Sequence, residues 1–140
     1  MVEKNNEERY FKYKYEFEKN GIFIWDGTNE ENREYFNGSE DEVRLLQYDS
    51  ARGLEGWTVF CLEFDQFLEN KQNLFVPSHN VLMLESTEER ENKYILNWAL
   101  IALTRAIDTL VITIKNPQSK IGVILENIAK EHPDYITLIK

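Results

Sequence analysis

The sequence predicts an α/β fold built on a parallel sheet flanked by helices. Three observations carry that expectation. The runs "WTVFCLEF" and "TLVITI" are short and almost continuously apolar, as strands covered on both faces are. Apolar residues recur at helical spacing before the second of these runs and again after it. Strand and helix patterns therefore alternate, the order that produces parallel pairing.

The elements follow in chain order. From Asn5 to Asn20 two readings stand. Phe11, Tyr13, Tyr15 and Phe17 alternate with Lys and Glu, as in a strand that Asn20-Gly21 would close into a hairpin. Tyr10, Phe11, Lys14, Phe17 and Glu18 equally form a helical stripe with Gly21 as its stop. The α/β order that follows favours the helix, so residues 1–20 are expected to be a peripheral helix or strand. A short apolar strand, Ile22 to Trp25, comes next, then a polar segment rich in Asn, Glu and Asp up to Glu42.

A second strand is expected from Val43 to Tyr48, and a third in "WTVFCLEF" after the loop "DSARGLEG". The region from Asp65 to Leu84 begins as a short helix and continues as a loop. Ser86 with Glu89 three residues on forms a capping box, opening the longest helix, which ends near Arg105. A strand from Thr109 to Ile114 is broken by Pro117. Ile121, Ile124, Leu125 and Ile128 then mark a last helix, stopped before Pro133.

One domain suits 140 residues. There is no repeat, no low-complexity tract, no signal pattern at the N-terminus and no apolar run of membrane length. Cys61 is alone inside an apolar run and reads as a buried, reduced thiol, which fits a cytoplasmic protein. Net charge is −9, with six basic and twelve acidic residues in 1–42. No basic stripe is present to attract a phosphate backbone, which argues against a free-standing single-strand binder.

Neither G-x-x-x-x-G-K-[ST] nor G-x-G-x-x-G occurs, and His79 and His132 are isolated. Two other segments carry chemistry. The loop "DSARGLEG" lies between strands, where ligands commonly bind. Gly53 and Gly56 permit close backbone approach, while Arg52 and Glu55 add a cation and an acceptor. An ordinary surface turn would use the same residues. In "WALIALTRA", Tyr94, Trp98, Ile101, Ala102 and Arg105 share a helical face. A guanidinium continuing an apolar stripe snorkels, pairs with a carboxylate or meets a ligand. Capping the helix dipole is the alternative use.

Together these segments resemble motifs V and VI of the UvrD-like superfamily 1 DNA helicases. Motif V there reads as a hydroxyl residue, a small residue, Lys or Arg, then G-L-E; here it is Ser50-Ala51-Arg52-Gly53-Leu54-Glu55. Motif VI reads as a V-A-L-T-R-A-like helix end before an apolar strand. Its counterpart is Ile101-Ala102-Leu103-Thr104-Arg105-Ala106, followed by "IDTLVITI". The resemblance covers roughly residues 20 to 115.

The resemblance implies a RecA-like parallel sheet flanked by helices, the second motor domain of such a helicase. It implies ATP and Mg as cofactors only together with a first, N-terminal RecA-like motor domain, and single-stranded DNA as a partner. Arg105 would be the arginine finger, a role worth ~10³–10⁵ in rate. Glu55 would accept from the nucleotide sugar, and Gly53 would admit the phosphates. Ser50 and Arg52 would face the single strand. The chain alone would not hydrolyse ATP.

Departures from the family pattern are Asp49, where His is common, and Gly56-Trp57, where Phe-Asp often follows. Nothing before Ile22 matches motif IV, so 1–140 is expected to be one partial domain, incomplete on its N-terminal side. The competing expectation is a non-catalytic RecA-like protein-interaction module that uses the acidic, aromatic segment 1–42.

Overall fold

Of the two readings of the N-terminal stretch, the chain takes the helical one. Helix α1 spans Glu7–Lys19 in a computed structural model that describes residues 1, 7–28, 31–32, 42–77 and 85–139. It ends as Gly21 allows. With φ of 76°, Gly21 donates to the Glu18 carbonyl while Ile22 donates to that of Phe17, so two orphan carbonyls are satisfied. Most of the polar stretch before Glu42, residues 78–84 and His79 lie outside the described residues.

Strand β1, Ile24–Asp26, pairs in parallel with β2, Val43–Leu45, in the register Ile24 to Val43 and Asp26 to Leu45. Strand β3, Gly56–Cys61, pairs in parallel with β4, Ala106–Ile112, in the register Gly56 to Ala106 and Cys61 to Ile112. Between Gly56 and Thr58 the register shifts, because three steps on β4 oppose two on β3.

Among the described residues these are two separate two-stranded pairs. The expected single sheet is therefore met only at the level of mixed α/β structure with parallel pairing. The expectation of strands covered on both faces also needs correction for β3–β4. Val59, Cys61, Leu110 and Ile112 pack into or against the core, but Phe60 and Ile107 are exposed. An apolar run signals a strand without revealing whether its second face is covered.

Three helices complete the description. Helix α2, Phe64–Asn73, starts straight after β3, with Glu63 as its N-terminal flank. Helix α3, Thr87–Leu103, opens with the Ser86 and Glu89 capping box. There the Glu89 amide donates to Ser86 Oγ at 3.1 Å, and the Ser86 amide donates to Glu89 Oε2 at 2.7 Å. Helix α4, Lys120–Glu131, is capped by Ser119, whose Oγ accepts from the Gly122 amide at 3.0 Å. None of these helices is long and apolar enough to cross a membrane.

The core gathers Tyr48, Cys61, Phe64, Phe67, Leu68, Ala99 and Ala102. It joins one face of β3–β4 to α2 and α3, with Ile121 and Leu125 of α4 against its margin. Burying this many large side chains is the main favourable term at this scale. One carboxylate lies inside. Asp65 is buried and its two oxygens accept from the amides of Lys115 and Asn116, each at 2.9 Å, which ties α2 to the chain leaving β4.

Candidate functional site

The segment 48–55 is a short 3-10 turn, Tyr48–Ser50, followed by a tight bend. Its first half is anchored. Tyr48 and Ala51 are buried, and the Tyr48 ring stacks on Phe67 with centroids 4.0 Å apart and planes 14° from parallel. The Tyr48 hydroxyl donates to the Leu62 carbonyl at 3.0 Å. The second half is presented to solvent: Arg52, Gly53, Leu54 and Glu55 are all exposed. Gly53 has φ of 79°, a conformation that favours glycine, and nothing lies within 4 Å of the place a Cβ would take. The turn thus needs glycine for its path and keeps open space beside it.

Arg105 meets this turn. Helix α3 ends at Leu103 with Thr104 as its cap, so Arg105 stands in the joint between α3 and β4, beyond the helix end that carried it in the sequence pattern. Its Nη1 donates to the Leu54 carbonyl at 3.2 Å and its Nη2 to Thr104 Oγ1 at 2.9 Å. Its own carbonyl accepts from the Gly56 amide at 3.0 Å. Arg105 therefore bonds the residues on both sides of Glu55, and the two carry opposite charge at one end of the β3–β4 pair. The Arg105 Nε is buried and has no hydrogen-bond partner among the described residues. Such a group is costly to leave unmatched, and it is closed to solvent in this arrangement.

Arg105, Leu54 and Gly56 are in direct contact, with Glu55 between the last two. Ser50 sits half-buried in the 3-10 turn, and Arg52 stands at the exposed tip. This place is the amino end of β3 and β4, whereas open α/β sheets favour ligands at carboxyl ends. Only β2 feeds the loop from its carboxyl end. A ligand at the strand ends, as expected from the sequence, has less support from this placement, and the Arg105 contact carries the site.

Two features of the surroundings escaped the sequence reading. The first is Lys71, buried on α2, whose Nζ lies 2.7 Å from Asp49 Oδ1. Asp49 is thus held by a cation of its own chain. The second is Trp57, which directly follows Gly56 and is 74% exposed beside the register shift. An isolated lysine in a helical pattern normally reads as solvated, and a Trp inside an apolar run normally reads as core. Neither residue carries a local signal to the contrary.

The place combines an open glycine turn, an exposed carboxylate and a guanidinium with two of its five N–H groups bonded within the chain. No group of three His, Cys, Asp or Glu among the described residues could hold a metal ion. No family model, curated protein or solved structure matches the chain.

Proposed function

We propose that this chain is a second-motor-domain segment, RecA-like in kind, of a UvrD-like, ATP-dependent DNA helicase. The observation that carries the reading is the 3.2 Å bond from Arg105 to the Leu54 carbonyl, which joins the two motif-like segments across a separation of 51 residues. In this reading Arg105 faces the γ-phosphate and neutralises charge that develops during phosphoryl transfer. The N–H groups of its terminal nitrogens beyond those given to Leu54 and Thr104 are the donors for that task. Gly53 admits the phosphates and Glu55 accepts from the sugar. Ser50 and Arg52 meet single-stranded DNA. ATP and Mg bind only with a first motor domain, which supplies the phosphate-binding loop and the metal-holding carboxylate.

The test joins the chain to a first motor domain that carries G-x-x-x-x-G-K-[ST]. The isolated chain should show no ATP turnover and the joined protein should show it. Arg105→Ala should then lower turnover by roughly 10³-fold or more while nucleotide still binds. Normal turnover by the isolated chain would sink the assignment.

A second reading, an interaction module, has one observation in its favour. Phe11, Tyr15 and Phe23 are exposed in the acidic N-terminal part. Replacing all three with Ser should then abolish partner capture and leave the Arg105 site unchanged.

A further inference from the structure

Lys71 is buried, with 9% of its surface exposed. An ammonium there is expensive, and an unbranched apolar side chain would fill the same space on α2. Its surroundings show what the charge adds. The Lys71 Nζ sits 3.7 Å from the centroid of the Trp98 ring and 5.6 Å from that of Phe67, so two aromatic faces receive it. Its partner, Asp49, keeps 40% of its side chain exposed and has no need of a buried cation for its own solvation. The pair draws the 3-10 turn down onto α2. Tyr48 stacks on Phe67 one helical turn away, so two consecutive turn residues dock on two positions of one helix face.

Both halves of the candidate site run out from this point. Along one path, Asp49 leads through buried Ala51 and Gly53 to the Leu54 carbonyl. Along the other, Trp98 lies on α3, whose end passes through Thr104 to Arg105. Lys71 touches the first path through Asp49 and the second through Trp98. We propose that Lys71 is a positioning residue: by holding Asp49 and Trp98 together it sets where the Gly53 turn lies relative to the Arg105 guanidinium. Buried charge pairs are best attested in this kind of registering role. What the positioned groups then do rests on the helicase reading; the positioning itself does not.

The test uses the whole chain without ligand. Lys71→Met keeps length and volume but removes the ammonium, and Asp49→Asn removes the opposing charge at a half-exposed site. NMR reads the Arg105 Nε proton and the Gly53–Gly56 amides, and fluorine NMR of 5-fluorotryptophan reads Trp98. In both variants the Arg105 Nε proton should exchange with water at least about tenfold faster, and the Gly53–Gly56 and Trp98 signals should move. The thermal midpoint should stay close to the parent's in Lys71→Met and fall in Asp49→Asn, which leaves the buried ammonium without its counter-ion. Lys71→Arg, which keeps a cation for both neighbours, should restore the parent signals.

Unchanged Arg105 exchange in Asp49→Asn would overturn the proposal, and so would Lys71→Arg behaving like Lys71→Met. If Lys71→Met does not fold, Asp49→Asn still decides, and Lys71→Arg is read against it: exchange as fast as in Asp49→Asn would overturn the proposal. The joined protein separates this proposal from the function: absent ATP turnover there overturns the helicase reading, while the exchange rates of the chain alone still decide the role of Lys71.

Discussion

Arg105 shows how one side chain can serve two segments. Its two terminal nitrogens each give one N–H, to the Leu54 carbonyl and to Thr104 Oγ1, and the planar fork that permits this has no equivalent in lysine. Arg105→Lys should therefore break at least one of these bonds, and in the joined protein it should lose turnover nearly as fully as Arg105→Ala. Gly53 makes a different demand. Because nothing lies near its missing Cβ, Gly53→Ala should cost only conformational strain, about 1–2 kcal/mol in chemical denaturation, and Gly53→Asn should cost less. Cys61 is the chemically quiet case. Burial pushes its thiol above the usual 9.0, so the neutral form is the folded one. Stability linked to that thiol is complete below pH 9.0 and falls as pH rises through the folded value. Maleimide should leave Cys61 unlabelled at neutral pH and label it quickly in denaturant.

At the scale of elements, the well-determined ends are the ones with local chemistry. The capping box of α3 holds the Glu89 carboxyl below its usual 4.5, chiefly through the hydrogen bond from the Ser86 amide. That contribution is present above pH 4.5 and disappears as pH falls through the lowered value. The stability difference between parent and Glu89→Ala, followed by circular dichroism, should therefore vanish on acidification. The start of α4 depends on space instead. A Cβ at Gly122 would lie 2.6 Å from the Pro117 carbonyl oxygen, a backbone atom that cannot step aside. Gly122→Ala should destabilise by about 1–3 kcal/mol, as overpacking does.

The capping box of α3, the Gly21 stop and the strands β3 and β4 were legible because each depends on residues a few positions apart, whereas the Ser119 cap of α4 was not read from the sequence. The Lys71 and Asp49 pair was not. Each partner alone looks like a surface charge, and only folding brings them together. The Arg105 contact with Leu54 came within view through the likeness to helicase motifs and not through any spacing, since nothing local relates residues 51 apart.

On the scale of the molecule, the division of the described strands into two pairs was the least legible feature, because pairing partners are chosen by packing that no single strand encodes. The two pairs should also differ in stability. Strands β1 and β2 have three residues each and pair only with one another among the described residues, a marginal arrangement for two strands. The longer pair β3–β4 is backed by α2 and α3 through a continuous aromatic cluster, in which Phe67 meets Tyr48, Phe64 and Trp98. Removing the Phe67 ring takes away the shared contact of α2, α3 and the 3-10 turn. Phe67→Ala should cost about 3–5 kcal/mol, enough to erase much of the stability of a domain this size. Hydrogen exchange on the parent should show amides of β3 and β4 opening only with global unfolding, and those of β1 and β2 opening earlier. In Phe67→Ala the protection of β3 and β4 should collapse to the level of β1 and β2. If β3 and β4 keep their protection in that variant, the aromatic cluster is not what holds the α2–α3 side of the molecule together.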